Sequence, residues 1–147
     1  MGTFVEYAEH EVRDFLENMG FKEIFPEGVG EMVYARATNV DPFVIVVFTS
    51  IAYGETRGKG KDAARVVIIN DSTSKMVWSS KRVHRTKNFL QNIRLRCRLA
   101  FRAMGKRVKC PKCGGPMVIR ENKSNGIEFY GCTDFPACKG SKQIEEK

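Results

Sequence analysis

Cysteine is absent from the first 96 residues of this chain, and all five of its cysteines fall between positions 97 and 138. Histidine occurs twice and tryptophan once. No apolar run approaches the ~20 residues that span a bilayer; the longest, residues 43–48, is the length of a strand. The opening residues are acidic and patterned as a helix, rather than basic and then apolar, so no secretory signal is expected. These scarcities argue against a membrane helix and against the disulfide framework of a small secreted domain. The expectation is a soluble cytoplasmic protein, nucleoid-associated if its source is bacterial or viral.

Acid is missing from one long stretch. Between Lys81 and Lys109 there are eleven Lys and Arg and no Asp or Glu. Residues 1–80 hold eight basic against twelve acidic side chains, a net of −4, whereas residues 81–147 hold seventeen against five, a net of +12. A chain polarised in this way points to an anionic partner for its basic end.

Catalytic constellations are also scarce. His10 lies off the apolar stripe of its helix, and His84 sits among Arg82, Arg85 and Lys87. Glu31, Asp41, Asp62 and Asp71 fall near strand ends but form no D…E-x-K arrangement, and Asp41 and Asp71 read as turn residues. No catalytic residue is assigned, and the reading is a protein that is not an enzyme.

Hydrophobic periodicity outlines the fold. Val5, Ala8, Val12, Phe15, Leu16 and Met19 recur at spacings of three and four, predicting a helix over 4–19. Thr3 and Glu6 stand in capping-box relation at its start, and Gly20 supplies a left-handed stop. Strands are expected over 21–25, 31–37, 43–51, 65–69 and 76–85, with a glycine- and lysine-rich loop at 54–61 that does not satisfy the P-loop pattern. A second helix is expected over 87–104, capped by Thr86 and followed by Gly105. Its apolar arc carries Phe89, Leu90, Ile93, Cys97, Ala100, Phe101 and Met104, which makes Cys97 a buried thiol. The adjacent arc carries Lys87, Arg94, Arg98 and Arg102. The fold class is α+β, an antiparallel sheet of four to five strands flanked by two helices. Residues 1–105 form that domain, ending in the basic helix, and residues 106–147 form a small appended finger with a short tail.

The appendage is defined by Cys110, Cys113, Cys132 and Cys138, spaced C-x2-C-x18-C-x5-C. Four thiolates suit the tetrahedral preference of Zn²⁺ and leave no coordination position open, so one structural zinc is expected. Residues 117–120 and 127–130 read as a hairpin turned at Asn125-Gly126, giving a zinc-ribbon-like finger. So small a module has too little core to fold without its metal.

The surrounding residues extend the pattern. Cys110-Pro-Lys-Cys113-Gly114, Met117, Arg120, and the run from Phe129-Tyr130-Gly131-Cys132 through Phe135-Pro136-Ala-Cys138-Lys139 resemble the C-terminal C4 zinc finger of type IA DNA topoisomerases. The resemblance covers about residues 110–140 and implies zinc ligation by the four cysteines and contact with DNA, mostly single-stranded. The large topoisomerase catalytic core has no counterpart in this chain, and residues 1–109 are assigned to no family.

Taken together, these features predict a nucleic-acid-binding protein, with single-stranded DNA as ligand, acting as a non-catalytic accessory in replication, recombination or repair. The expected contacts run from the basic segment (Lys81, Arg82, Arg85, Lys87, Arg94, Arg98, Arg102, Lys106 and Arg107) into the finger (Lys112, Arg120, Tyr130, Phe135 and Lys139). Trp78 and Phe129 are further candidates for stacking on bases. Two alternatives stand beside this reading. One is a protein–protein adaptor whose first domain recruits a DNA or RNA enzyme, and the other is a small metal-dependent nuclease.

Overall fold

The computed structural model describes residues 9–24, 31–50, 63–81, 83–84 and 88–144. The expected caps at Thr3 and Thr86 and the loop at 54–61 lie outside these residues. Helix α1 (Glu9–Asn18) ends where the sequence expects it. Gly20 has φ +89°, its N–H bonds to Glu17 O at 2.9 Å, and Phe21 N–H bonds to Leu16 O at 3.1 Å. These are the two bonds of a Schellman stop, which require a left-handed residue at Gly20.

Among the described residues, six antiparallel strands form the main sheet: β1 (Lys22–Ile24), β2 (Glu31–Ala37), β3 (Phe43–Ser50), β4 (Ala63–Asn70), β5 (Lys75–Ser79) and β6 (Val83–His84). Strands β1 to β5 lie side by side in chain order. Sequence periodicity expects one strand over 76–85, but the chain makes two. Both lie along the same edge of β4, with β5 opposite Val67–Asn70 and β6 opposite Ala63 and Ala64. The edge strand is also bulged, because Ile68 pairs with Trp78 and Ile69 with Met76, leaving Val77 as the extra residue.

Alternation along β3 and β4 sorts their side chains between two faces. Phe43, Ile45, Val47, Val66 and Ile68 join the main core, whereas Val46 and Val67 join a second cluster with Val33 on the opposite face. Burial on both faces accounts for the nearly unbroken apolar sequence of these strands. Val12 and Leu16 of α1 pack into the main core. So do Phe89, Ile93, Cys97, Ala100 and Met104 of helix α2 (Phe89–Met104). Both helices therefore cover one face of the sheet, and the Arg94 guanidinium of α2 lies 5.3 Å from the Phe15 ring of α1. Gly105 follows α2 with φ −76°, a right-handed conformation rather than a left-handed stop. Among the described residues no helix is long and apolar enough to cross a membrane.

The finger is a three-stranded antiparallel sheet, β7 (Met117–Glu121), β8 (Glu128–Cys132) and β9 (Ser141–Gln143), in that order. The third strand has no clear signal in the sequence, since Ser141, Lys142 and Gln143 are all exposed. The hairpin loop is longer than Asn125-Gly126 alone. Asn122 N–H bonds to Ile127 O and Gly126 N–H to Asn122 O, with Gly126 at φ +72°.

Candidate metal centre and nucleic-acid interface

Two tight loops carry the cysteine ligands. In the first, Gly114 N–H bonds to Cys110 O at 2.8 Å and Cys110 N–H to Gly115 O at 2.8 Å, with Gly114 in the left-handed region at φ +75°. In the second, Phe135 N–H bonds to Cys132 O and Cys138 N–H to Asp134 O. The loops also aim backbone donors at sulfur: Lys112 N–H at Cys110 Sγ and Asp134 N–H at Cys132 Sγ, both 3.4 Å. Such donors stabilise thiolate over thiol.

The sulfurs fit one tetrahedral ion. All four Sγ atoms lie within 4.8 Å of one another, with Cys110 to Cys138 at 3.7 Å and Cys113 to Cys132 at 3.5 Å. Zinc bonds of ~2.3 Å to a regular tetrahedron of sulfurs place those sulfurs about 3.8 Å apart. Gly140 closes the site from the side: a Cβ there would stand 2.1 Å from Cys110 Sγ. Only glycine leaves that sulfur its place. The site is a C4 centre for one structural Zn²⁺, whose bonds replace the core that so small a module lacks.

The cysteines are not electrostatically equivalent. Backbone hydrogen bonding, led by the Cys113 amide, brings Cys110 down to about 7 despite the opposing effect of burial. Burial outweighs the Asp134 amide at Cys132 and pushes it up to about 12. At Cys138 the Gly140 amide pulls downward, but burial and the hydrogen bonds shared with Cys113 and Cys110 carry it up. A cation at the centre removes the conflict by holding all four as thiolates.

The finger packs directly on the first domain. Met117, Val118 and Ile119 are buried in succession, and because neighbouring strand residues point to opposite faces, β7 is covered on both sides. Helix α2 packs against β7, and Met117, Val118, Tyr130 and Cys132 belong to the same continuous core as Ala103 and Met104. Ala103 lies off the apolar arc that helical periodicity predicts, yet it is buried. The finger is what buries that side of the helix. Two polar ties reinforce the contact: Arg102 Nη1 to Glu128 Oε2 at 2.9 Å, and Lys75 Nζ to Phe135 O at 2.8 Å.

The basic residues separate by position. Arg94, Arg98 and Arg102 are all exposed on α2, as are Lys81, Lys106, Arg107, Lys112 and Lys139 elsewhere. Arg82, Arg85 and Lys87 lie outside the described residues. Tyr130 is only 8% exposed and sits in the core, whereas Phe135 is 51% exposed beside the second knuckle. Arg120 crosses Gly131, and its guanidinium lies 5.9 Å from the Phe135 ring. Burial lowers the Arg120 pKa, with Cys132 acting in the opposite direction.

One member of this surface has no sequence signal. Arg36, from the acidic half, donates to the Met19 carbonyl at the end of α1 and lies 4.7 Å over the Phe101 ring of α2. With Arg94 and Arg98 it lines a shallow hollow of about 460 Å³. Only β2 crossing beneath the helices brings it there.

Comparison with known proteins identifies the finger. The topoisomerase DNA-binding C4 zinc finger family matches residues 107–147. DNA topoisomerase 1 of Pyrococcus horikoshii is 50% identical over 30 residues, covering 20% of this chain and 4% of that protein. DNA topoisomerase 1 of Pyrococcus furiosus is 47% identical over 39 residues, 26% of this chain and 4% of that protein. The Mycoplasma genitalium DNA topoisomerase 1 is 52% identical over 33 residues, 22% and 5%. The matched segment thus spans only about a twentieth of those relatives' length. No solved structure matches the chain at a significant level.

Proposed function

We propose that this protein binds single-stranded DNA through one continuous basic face and serves, without catalysis of its own, as an accessory in replication, recombination or repair. The observation that carries this reading is the packing of a topoisomerase-type zinc finger against a helix whose arginines face solvent. Arg94 and Arg98 on α2, Lys106 and Arg107 after it, and Lys112 and Lys139 in the finger are exposed cations suited to tracking phosphates. Phe135, half exposed and backed by Arg120, is the finger's stacking surface for an unpaired base. Such a ligand places the protein in an intracellular, nucleic-acid-rich compartment.

The test is a binding panel with the whole zinc-loaded chain, using single-stranded DNA, duplex DNA and RNA at two salt concentrations. Single-stranded DNA should bind tightest, and every affinity should fall steeply with salt. Tighter binding to duplex DNA or RNA would reassign the ligand. The absence of binding to all three would leave the finger as a protein-docking element and favour the adaptor reading.

A further inference from the structure

A groove of about 810 Å³ runs between α2, β5 and the finger's first strand β7. That volume falls within the range of about 300–1,000 Å³ typical of ligand clefts. Its apolar lining includes Trp78, Ala103, Ile119 and Leu99 of α2, which is 43% exposed. The β5 bulge is what aims the indole here. With Val77 as the extra residue, Trp78 pairs with Ile68 and shares the helix-covered face with it. One side of Trp78 packs on the core and the other lines the groove.

The walls are cationic. Lys81, Arg96, Arg120 and Lys123 line the groove against Glu121, while the second carboxylate, Glu128, is already engaged by Arg102. Arg96 and Arg120 each hold a buried Nε for which the protein supplies no acceptor. Neither guanidinium is committed to a protein acceptor through that nitrogen, and a groove lined by four cations is suited to phosphate oxygens. A flat apolar platform among cations fits an unstacked base joined to phosphates.

We infer that this groove is a base-stacking channel for single-stranded nucleic acid, with Trp78 as the platform and Arg96 and Arg120 as phosphate donors. The inference rests on the nucleic-acid reading above and adds a site shared by both parts of the chain. Duplex DNA is excluded from the platform because its bases present no free face. The seam between finger and domain thereby becomes a binding surface.

Because Trp78 is the sole tryptophan, its emission reports on this groove alone. Labelled oligodeoxythymidylate is titrated into the zinc-loaded full chain while anisotropy and tryptophan emission are recorded together. Emission should quench over the same concentration range in which anisotropy rises. Trp78→Leu should weaken binding by roughly 5- to 150-fold, and Trp78→Phe should recover most of the loss. Zinc content and circular dichroism confirm that the variants are folded, and quenching of the unaltered chain requires no variant at all. If anisotropy rises with emission unchanged and Trp78→Leu binds normally, nucleic acid binds elsewhere and only this inference falls. A flat anisotropy with single-stranded DNA, duplex DNA and RNA overturns both. Stronger quenching by polyglutamate than by the oligonucleotide would assign the groove to an acidic peptide, also against the inference.

Discussion

Arg102 of α2 donates from Nη1 to Oε2 of Glu128 in β8 at 2.9 Å, across the seam between domain and finger. Its side chain is 53% exposed and that of Glu128 39%. An ion pair this open contributes only about 0–1 kcal/mol to stability. Its larger effect is to occupy the last arginine of the row.

Glu128→Gln therefore leaves thermal stability within about 1 kcal/mol of the parent chain. It also releases Arg102 toward phosphate, so single-stranded DNA should bind more tightly and with a salt slope steeper by up to about one unit. Affinity measured across a salt series checks this. An unchanged slope would mean that Arg102 never reaches the nucleic acid.

Replacing both Arg94 and Arg98 with Gln should weaken binding about equally for all sequences and reduce the salt slope by roughly one unit per lost contact. Gln preserves helix propensity, so the loss reports charge. Arg13, paired with Glu23 at 3.4 Å and outside the hollow that Arg94 and Arg98 line, is the appropriate control, and Arg13→Gln should change little. Arg36 is unsuitable as a control, since it shares the hollow with Arg94 and Arg98.

Gly140→Ala should cost the protein its zinc, because the new methyl group displaces Cys110 Sγ from the centre. Zinc content after dialysis against a weak chelator measures it, and Cys132→Ala should behave alike. Full chelation also uncovers Ala103 and Met104, which share their core with the finger. The remaining domain should lose a few kcal/mol, on the scale of about 1.5–3 kcal/mol per large apolar side chain uncovered. Finding a disulfide among these cysteines in metal-free native protein would contradict the zinc assignment.

Cys97 is 2% exposed, and burial pushes its thiol up to about 12, with Arg36 acting in the opposite direction. It should react with thiol reagents only at the rate of opening, far more slowly than in denaturant. A folded-state value above the unfolded one stabilises the fold below pH 9 and is lost as pH rises from about 9 to 12. Cys97→Ala should remove that component of alkaline unfolding.

The metal centre was legible because ligand spacing is local: Cys110 and Cys113 share one knuckle, and the Gly114 and Gly126 turns are written beside the strands they serve. Strand β2 and the stop at Gly20 were legible for the same reason. What sequence periodicity cannot supply is contact between distant segments. Arg36 meets Phe101 across 65 residues, Lys75 meets Phe135 across 60, and Ala103 is buried by the finger rather than by the sheet. The bulge at Val77 was hidden because an extra residue shifts the alternation without changing composition. Strand β9 leaves no periodic signal because every one of its side chains is exposed, so its place depends on backbone pairing with β8 alone.

The most direct test is the slope of the logarithm of affinity against the logarithm of salt concentration, for single-stranded DNA and the whole zinc-loaded chain. Binding along the α2 arginines and the finger lysines, with six or more phosphates engaged, predicts a slope of about −4 or steeper, at roughly −0.7 per contact. A slope near zero, with or without measurable binding, would contradict a protein whose basic face holds the strand.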